Sequence, residues 1–411
     1  MKAKDTQAKA SNAADRDNKG DRVDNIDRVN RVSKVLNVSI DSHTRHPKHG
    51  WEVIPFEDSI VKVKSTTKIS SNKYLKQGIY PIISQEEGLI SGYWNNEEDV
   101  FKISSPVVIF GDHTRILKYV DFDFVLGADG VKVLQPIKSI NAKFFKLFLE
   151  SCKIASLGYS RHYKLLKELQ IPVPGIEEQE RIVRELDCLS GVIEKKREQL
   201  KQLDALAQSI FYNMFGDPIN SKYETKKLAD LSEHKLSYGS GASAVDFNGK
   251  IRYVRITDIK DDGELHDEKV SPSIIDDKYI LKDGDILFAR SGATVGKTYL
   301  YRSKEGKSIY AGYLIRFIPN RNIVLPAYIY AYTKTSYYKA FISVSAQAVA
   351  QPNINAQQYS SLIVPIPPLS LQEQFAEKIE AIEKQKELLK RSIKEVETLF
   401  DARMDYYFGD T

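Results

Sequence analysis

Apolar side chains recur with a helical period in two stretches of the chain. Ile182, Leu186, Leu189, Ile193, Leu200 and Leu203 follow alternating steps of four and three, with Lys196 filling the vacant place. Phe375, Ile379, Ile382, Leu389, Ile393 and Val396 repeat those steps, with Lys386 standing where Ile193 stands in the first stretch. A 3.5-residue apolar repeat is the pattern of a coiled coil. It predicts two helices of about 40 residues, each ~60 Å long at 1.5 Å per residue. A polar helix of that length cannot bury its stripe alone. The expected partner is its own repeat, in an antiparallel pair that relates two domains by a pseudo-twofold axis. The alternative is that each helix packs on its own domain or on another chain. Ser370 is the expected N-cap of the second helix, with Glu373 completing a capping box. Lys196 and Lys386 either set the register of the pair or extend to water.

Shorter, β-type runs precede each helix, separated by Gly- and Asn-rich turns. In the first stretch these are 61–64, 81–83, 106–110 and 131–134, followed by a helix over 141–154 capped by Asn141. In the second they are 251–256, 285–290 and 313–318, followed by a Tyr-rich helix over 326–341.

The chain also repeats itself. Ile171-Pro172-Val173-Pro174 before Gln179-Glu180 returns as Val364-Pro365-Ile366-Pro367 before Gln372-Glu373, and Phe215-Gly216-Asp217 returns as Phe408-Gly409-Asp410. Position 365 lies 193 after 172, and 410 lies 193 after 217. Such an offset is too long for a solenoid unit and means two copies of a large module. The prolines fix non-helical approaches to both helices. The fold class is therefore α+β: two mixed α/β domains separated by a long antiparallel two-helix coiled coil, with an internal pseudo-twofold repeat. The expected division is a polar tail over 1–50, a first domain over 51–171, a central spacer helix over 172–217, a second domain over 218–363, and a C-terminal spacer helix over 364–411. The first part of the tail reads as disordered.

Composition adds limits. The 411 residues are 42% hydrophobic and 28% charged, with a net charge of +5. This is a globular composition, mildly basic and compatible with nucleic acid. No run approaches the ~20 apolar residues of a membrane span, and the N-terminus lacks a secretory signal. Two cysteines, Cys152 and Cys188, fit the cytoplasm and exclude a cysteine-built zinc site.

Catalytic signals are missing. Gly292 to Thr298 is one residue short of a phosphate loop. There is no GxGxxG, no HExxH and no aminating-methyltransferase motif, so neither a catalytic site nor a metal site is expected. What remains is loop chemistry suited to a DNA duplex. In the first domain His113, Thr114 and Arg115 follow a strand, and Ser160, Arg161, His162, Tyr163 and Lys164 precede a helix. In the second, Arg290, Ser291, Thr294 and Lys297 occupy the first of these places, and Gln347, Gln351 and Asn353 the other. Arg and Lys bind guanine, Asn and Gln bind adenine, and hydroxyls and Lys hold phosphates.

The order of these parts resembles the specificity subunit of type I restriction–modification systems. The resemblance spans about 51–411. It is carried by Leu169 to Pro174 with Glu178-Gln179-Glu180, by Leu362 to Pro368 with Gln372-Glu373-Gln374, and by Ser160 to Tyr163 and Gln351 to Ile354. It implies a non-catalytic subunit whose two target-recognition domains each read half of a split double-stranded DNA sequence. It also implies helices that set the spacer and dock two adenine methyltransferase subunits, and through them restriction and translocase subunits. No cofactor is expected on this chain; the methyltransferase partner is expected to use S-adenosylmethionine. The polar lead of about 50 residues departs from the family, which starts close to its first domain. A reading of another class is a two-domain protein scaffold on a coiled-coil strut that binds no nucleic acid.

Overall fold

The computed structural model describes residues 50–409 except Ser65, Asp129, Tyr159 and 347–351. The predicted tail, apart from its last residue, therefore lies outside the described residues, as do Gln347 and Gln351. The chain forms two compact units, residues 1–191 with 397–411, and residues 192–396. Their boundary cuts through both long helices rather than falling at the helix starts. The long helices themselves are continuous: Ile176–Phe215 and Leu369–Phe408, each of 40 residues.

In the first unit, strand Glu52–Pro55 pairs antiparallel with Gln170–Val173, just ahead of the central helix. A four-stranded sheet runs in the order Ile60–Val61, Val131–Pro136, Val107–Gly111, Leu117–Val120. Its central strand, Val107–Gly111, is buried throughout, as its unbroken apolar run requires. A second sheet is built on Phe124–Gly127. Helix Ala142–Ser151 packs Phe144, Phe145 and Phe148 into a core that includes Phe56, Ile171, Ile182, Leu186 and Phe408. Asn141 caps it as predicted, its Oδ1 accepting from the amides of Lys143 and Phe144.

The second unit repeats the framework. Thr225–Lys227 pairs with Ile363–Pro365 ahead of the C-terminal helix. A four-stranded sheet runs Ser237–Tyr238, Leu314–Phe317, Ile286–Ala289, Thr298–Leu300. Phe211, Phe215 and Phe375 join Phe288, Tyr328 and Tyr359 in its core. The α+β class, the two repeats and the long helices are thus as read from the sequence.

Several boundaries differ. The run 61–64 yields strand only at Ile60–Val61, and 251–256 only over Arg252–Val254. The Tyr-rich helix is two helices, Pro326–Tyr332 and Ser336–Ala346. Thr333 and Thr335 bond their hydroxyls back to the carbonyls of Tyr330 and Tyr332, a local alternative that interrupts the helical ladder. Ser370 is not an N-cap, because the helix begins at Leu369. Its first carbonyl is that of Pro368, which accepts from Leu371 and Gln372.

Each long helix is fastened by a glutamine with no exposed surface, Gln179 and Gln372. Gln179 Nε2 donates to the carbonyls of Ser139 and Pro174, and its Oε1 accepts from Asn141 N. Gln372 repeats this at Ile323, Pro367 and Leu325. The residues whose amides donate to these glutamines, Asn141 and Leu325, are the N-cap positions of the domain helices. Both donors and the carbonyl oxygen of each buried amide are therefore engaged, which is why a glutamine recurs 193 residues on.

Candidate nucleic-acid interface

The two central strands end in loops built on one backbone plan. In the first unit Asp112 N donates to Gly130 O at 2.7 Å, and Asp112 O accepts from His162 N at 2.9 Å. In the second unit Arg290 N donates to Tyr313 O at 3.1 Å, and Arg290 O accepts from Ile354 N at 2.8 Å. Strand register agrees, since Val131 faces Gly111 and Leu314 faces Ala289. Arg290 thus stands where Asp112 stands, Tyr313 where Gly130 stands, and Asn353 where Arg161 stands. The scaffold is shared and the side chains it presents are exchanged.

In the first unit three loops meet. Thr114 Oγ1 donates to Gln85 O at 2.7 Å, and His113 N donates to Gln85 Oε1 at 3.3 Å. Gly130 allows this approach: with φ +94°, a Cβ there would lie 2.8 Å from Gln85 Oε1 and 2.9 Å from the His113 ring. Arg115 adopts a left-handed φ of 63° and donates from Nη1 to Ile154 O. His113, Thr114, Arg115, Ser160, Arg161 and Lys164 are all exposed. Lys118 underlies them, buried, donating from Nζ to Ser84 O and Gly88 O. Burial pushes its pKa down from the ordinary lysine value.

Two sequence candidates of this unit are corrected. His162 has no exposed surface; its Nδ1 lies 2.8 Å from Asp112 O, and Nε2 accepts from Leu157 N. It is a bolt between loops, in the place that Ile354 fills in the second unit, and it cannot reach DNA. Tyr163 is half-buried against Phe56, with its amide held by the Asp112 carboxylate at 2.7 Å. Its ring serves the core and burial raises its pKa.

In the second unit the Arg290 guanidinium lies over the Tyr238 ring, 4.8 Å from its centre, and Nε donates to Asn353 Oδ1 at 3.4 Å. Tyr238 is held in turn by Ala356 N, which donates to its hydroxyl at 3.0 Å. Ser291 pairs with Asn353 through a backbone bridge, and Gly292 N donates to Pro352 O. The hydroxyl of Thr294 is turned inward to Ser291 O, and Lys297 is paired with Asp261 at 2.7 Å. The loop from Gly292 is a short 3-10 turn over Gly292–Thr294. Sequence reasoning missed Tyr238, Tyr313 and Gln85. Tyr238 and Tyr313, 42% and 61% exposed, are large aromatics left at the surface beside a basic loop.

None of the predicted seam residues of the two helices is exposed. Within the first unit Glu185 pairs with Arg403 and accepts from the Tyr407 hydroxyl at 2.7 Å. Arg181 Nη1 donates to that same hydroxyl at 3.1 Å. Within the second unit Phe211 meets Phe375 edge-on at 5.8 Å, and Lys386 reaches Asp204 at 2.8 Å. Lys386 therefore interrupts its seam to make a cross-helix ion pair. Among the described residues no group of three or more His, Cys, Asp or Glu side chains could hold a metal ion. No helix there is long and apolar enough to cross a membrane.

Comparison with known proteins places this framework. Residues 48–204 and 220–398 each match the family described as Type I restriction modification DNA specificity domain. The chain is 23% identical over 384 residues to the EcoKI specificity subunit of Escherichia coli K12, covering 81% of this chain and 82% of that one. It is 20% identical over 391 residues to the MjaVIII specificity subunit of Methanocaldococcus jannaschii, covering 87% and 92%. Among solved structures, the type I restriction-modification system S subunit from M. genitalium superposes with a TM-score of 0.57 at 14% identity, covering 88% of this chain and 96% of that one. The two-domain scaffold without nucleic acid is set aside by the family match over both repeats. The chain belongs to the type I restriction–modification DNA specificity family, whose role is sequence-specific DNA recognition rather than catalysis.

Proposed function

We propose that each unit reads one half of a bipartite duplex target. The first reads with the exposed side chains around Arg115 and Arg161, the second with those around Arg290 and Asn353. The observation that carries this reading is the shared backbone plan with exchanged side chains: Asp112 for Arg290, Gly130 for Tyr313, Arg161 for Asn353. A conserved carrier with a changed contact surface is what two readers of different half-sites require.

The two long helices are proposed to pair antiparallel as a coiled coil that sets the unread spacer. Support comes from each unit separately. Glu185 meets Arg403 where Arg181 meets Tyr407, and Asp204 meets Lys386 where Phe211 meets Phe375, so rising numbers on one helix meet falling numbers on the other. The partners proposed are two adenine methyltransferase subunits, which would use S-adenosylmethionine, and through them restriction and translocase subunits, in the cytoplasm. Inserting one heptad into both helices tests the spacer. Methylation mapping is expected to show an altered spacer and unaltered half-sites; an unchanged spacer overturns the coiled-coil ruler.

A further inference from the structure

Arg290 is held by contacts along both its backbone and its side chain. Its backbone is tied at N to Tyr313 and at O to Ile354, so the Cα cannot swing. Its guanidinium face rests on Tyr238, and Nε is engaged by Asn353. Tyr238 is itself fixed at its far end by Ala356 N. Among the described residues neither terminal nitrogen of Arg290 makes a hydrogen bond or ion pair, so that end of the planar fork is left for a ligand. A side chain that meets a phosphate as a simple counterion needs no such fixing. A planar fork presented end-on fits two acceptors side by side, and on a major-groove edge guanine alone offers that pair, O6 and N7. Stacking on a tyrosine face also suits a guanidinium, by cation–π attraction.

We propose that Arg290 reads a guanine in the half-site taken by the second unit, and that Tyr238 is the residue that positions it. This rests on the DNA-recognition reading given above. Tyr238 touches no base in this role; it acts through the orientation of Arg290. Asn353 limits rotation about the same guanidinium.

The test uses the full chain assembled with its methyltransferase partner. The probes are duplexes carrying the methylation-mapped target, with each guanine of the second half-site replaced in turn by 7-deazaguanine, which lacks the N7 acceptor. The wild type is expected to lose roughly ten- to a hundredfold in affinity at one guanine. Arg290→Ala should be insensitive to the replacement at that guanine alone. Tyr238→Ala should show reduced sensitivity there, and Tyr238→Phe, which keeps the ring, should retain more of it. The readout is a ratio of affinities on one protein preparation, so partial misfolding of a variant does not alter it. If Arg290→Ala weakens binding equally on all duplexes and flattens the salt dependence, Arg290 is a phosphate contact and the proposal falls. If Tyr238→Ala keeps full sensitivity, the positioning role falls. A wild type that does not distinguish the target from scrambled duplex removes the recognition reading itself, and this inference with it.

Discussion

Gln372 Oε1 accepts the amide of Leu325 at 2.8 Å, and so joins the first turn of the C-terminal helix to the N-cap residue of a domain helix. Gln179 makes the same joint with Asn141 at 2.7 Å. Removal of either amide strands a buried N–H and two carbonyl groups. Gln372→Ala is expected to lower unfolding stability by at least ~2 kcal/mol. Gln372→Glu keeps the volume but loses both donors and sets a charge against two carbonyl oxygens, so it should be worse. Urea unfolding of the two variants checks this; a change within roughly 0.5 kcal/mol for both would contradict it.

Asp285 and Arg316 form a buried ion pair at 2.5 Å in the second unit. Burial raises the Asp285 pKa even though Arg316 stands beside it. Arg316→Met therefore leaves an unpaired buried carboxylate and is expected to lose about 3–5 kcal/mol. Adding Asp285→Asn should restore much of that loss. The sign of the pH dependence follows from the raised pKa: the folded single variant binds a proton more readily than the unfolded chain. Its deficit should shrink as pH falls and grow as pH rises. Additive losses, or a deficit that grows on acidification, would contradict the pairing.

Lys334 lines a cleft of about 700 Å³ in the second unit. Its Nζ donates to Asp262 O at 3.3 Å and lies 4.7 Å from the centre of the Tyr330 ring. Burial lowers its pKa from 10.5 to about 8; Asp262 and Asp204 oppose the shift, and Lys386 and Lys339 add to it. Below about 8 both folded and unfolded chains carry the charge, and the burial penalty is fully present. Between about 8 and 10.5 the unfolded chain holds the proton and the folded chain does not, so stability rises with pH. The wild type should therefore gain on Lys334→Met between pH 7 and pH 10, as measured by denaturant unfolding at each pH. A difference that does not change with pH would contradict this.

The helices and their seams were legible because periodicity is local. Ile182 through Leu203 state their own spacing, whatever lies elsewhere. The repeat revealed Gln179 and Gln372 as a matched pair, but not their purpose, since Ser139 and Ile323 lie on other segments. His162 was misread as a contact for the same reason. Its burial depends on Asp112, fifty residues earlier, and no local pattern distinguishes a bolt from a reader. Tyr238 and Tyr313 escaped notice because short strands carry little signal, and their nearness to Arg290 comes from sheet order alone. The tyrosine helix was drawn as one because helix propensity does not register the hydroxyl back-bonding of Thr333 and Thr335.

The central claim is that the two units are independent readers, and replacement of residues 218–363 with the matching module of another family member tests it most directly. Methylation mapping of a host carrying the hybrid is expected to show one half-site changed, with the other half-site and the spacer retained. A change in both half-sites, or in neither, would contradict the account.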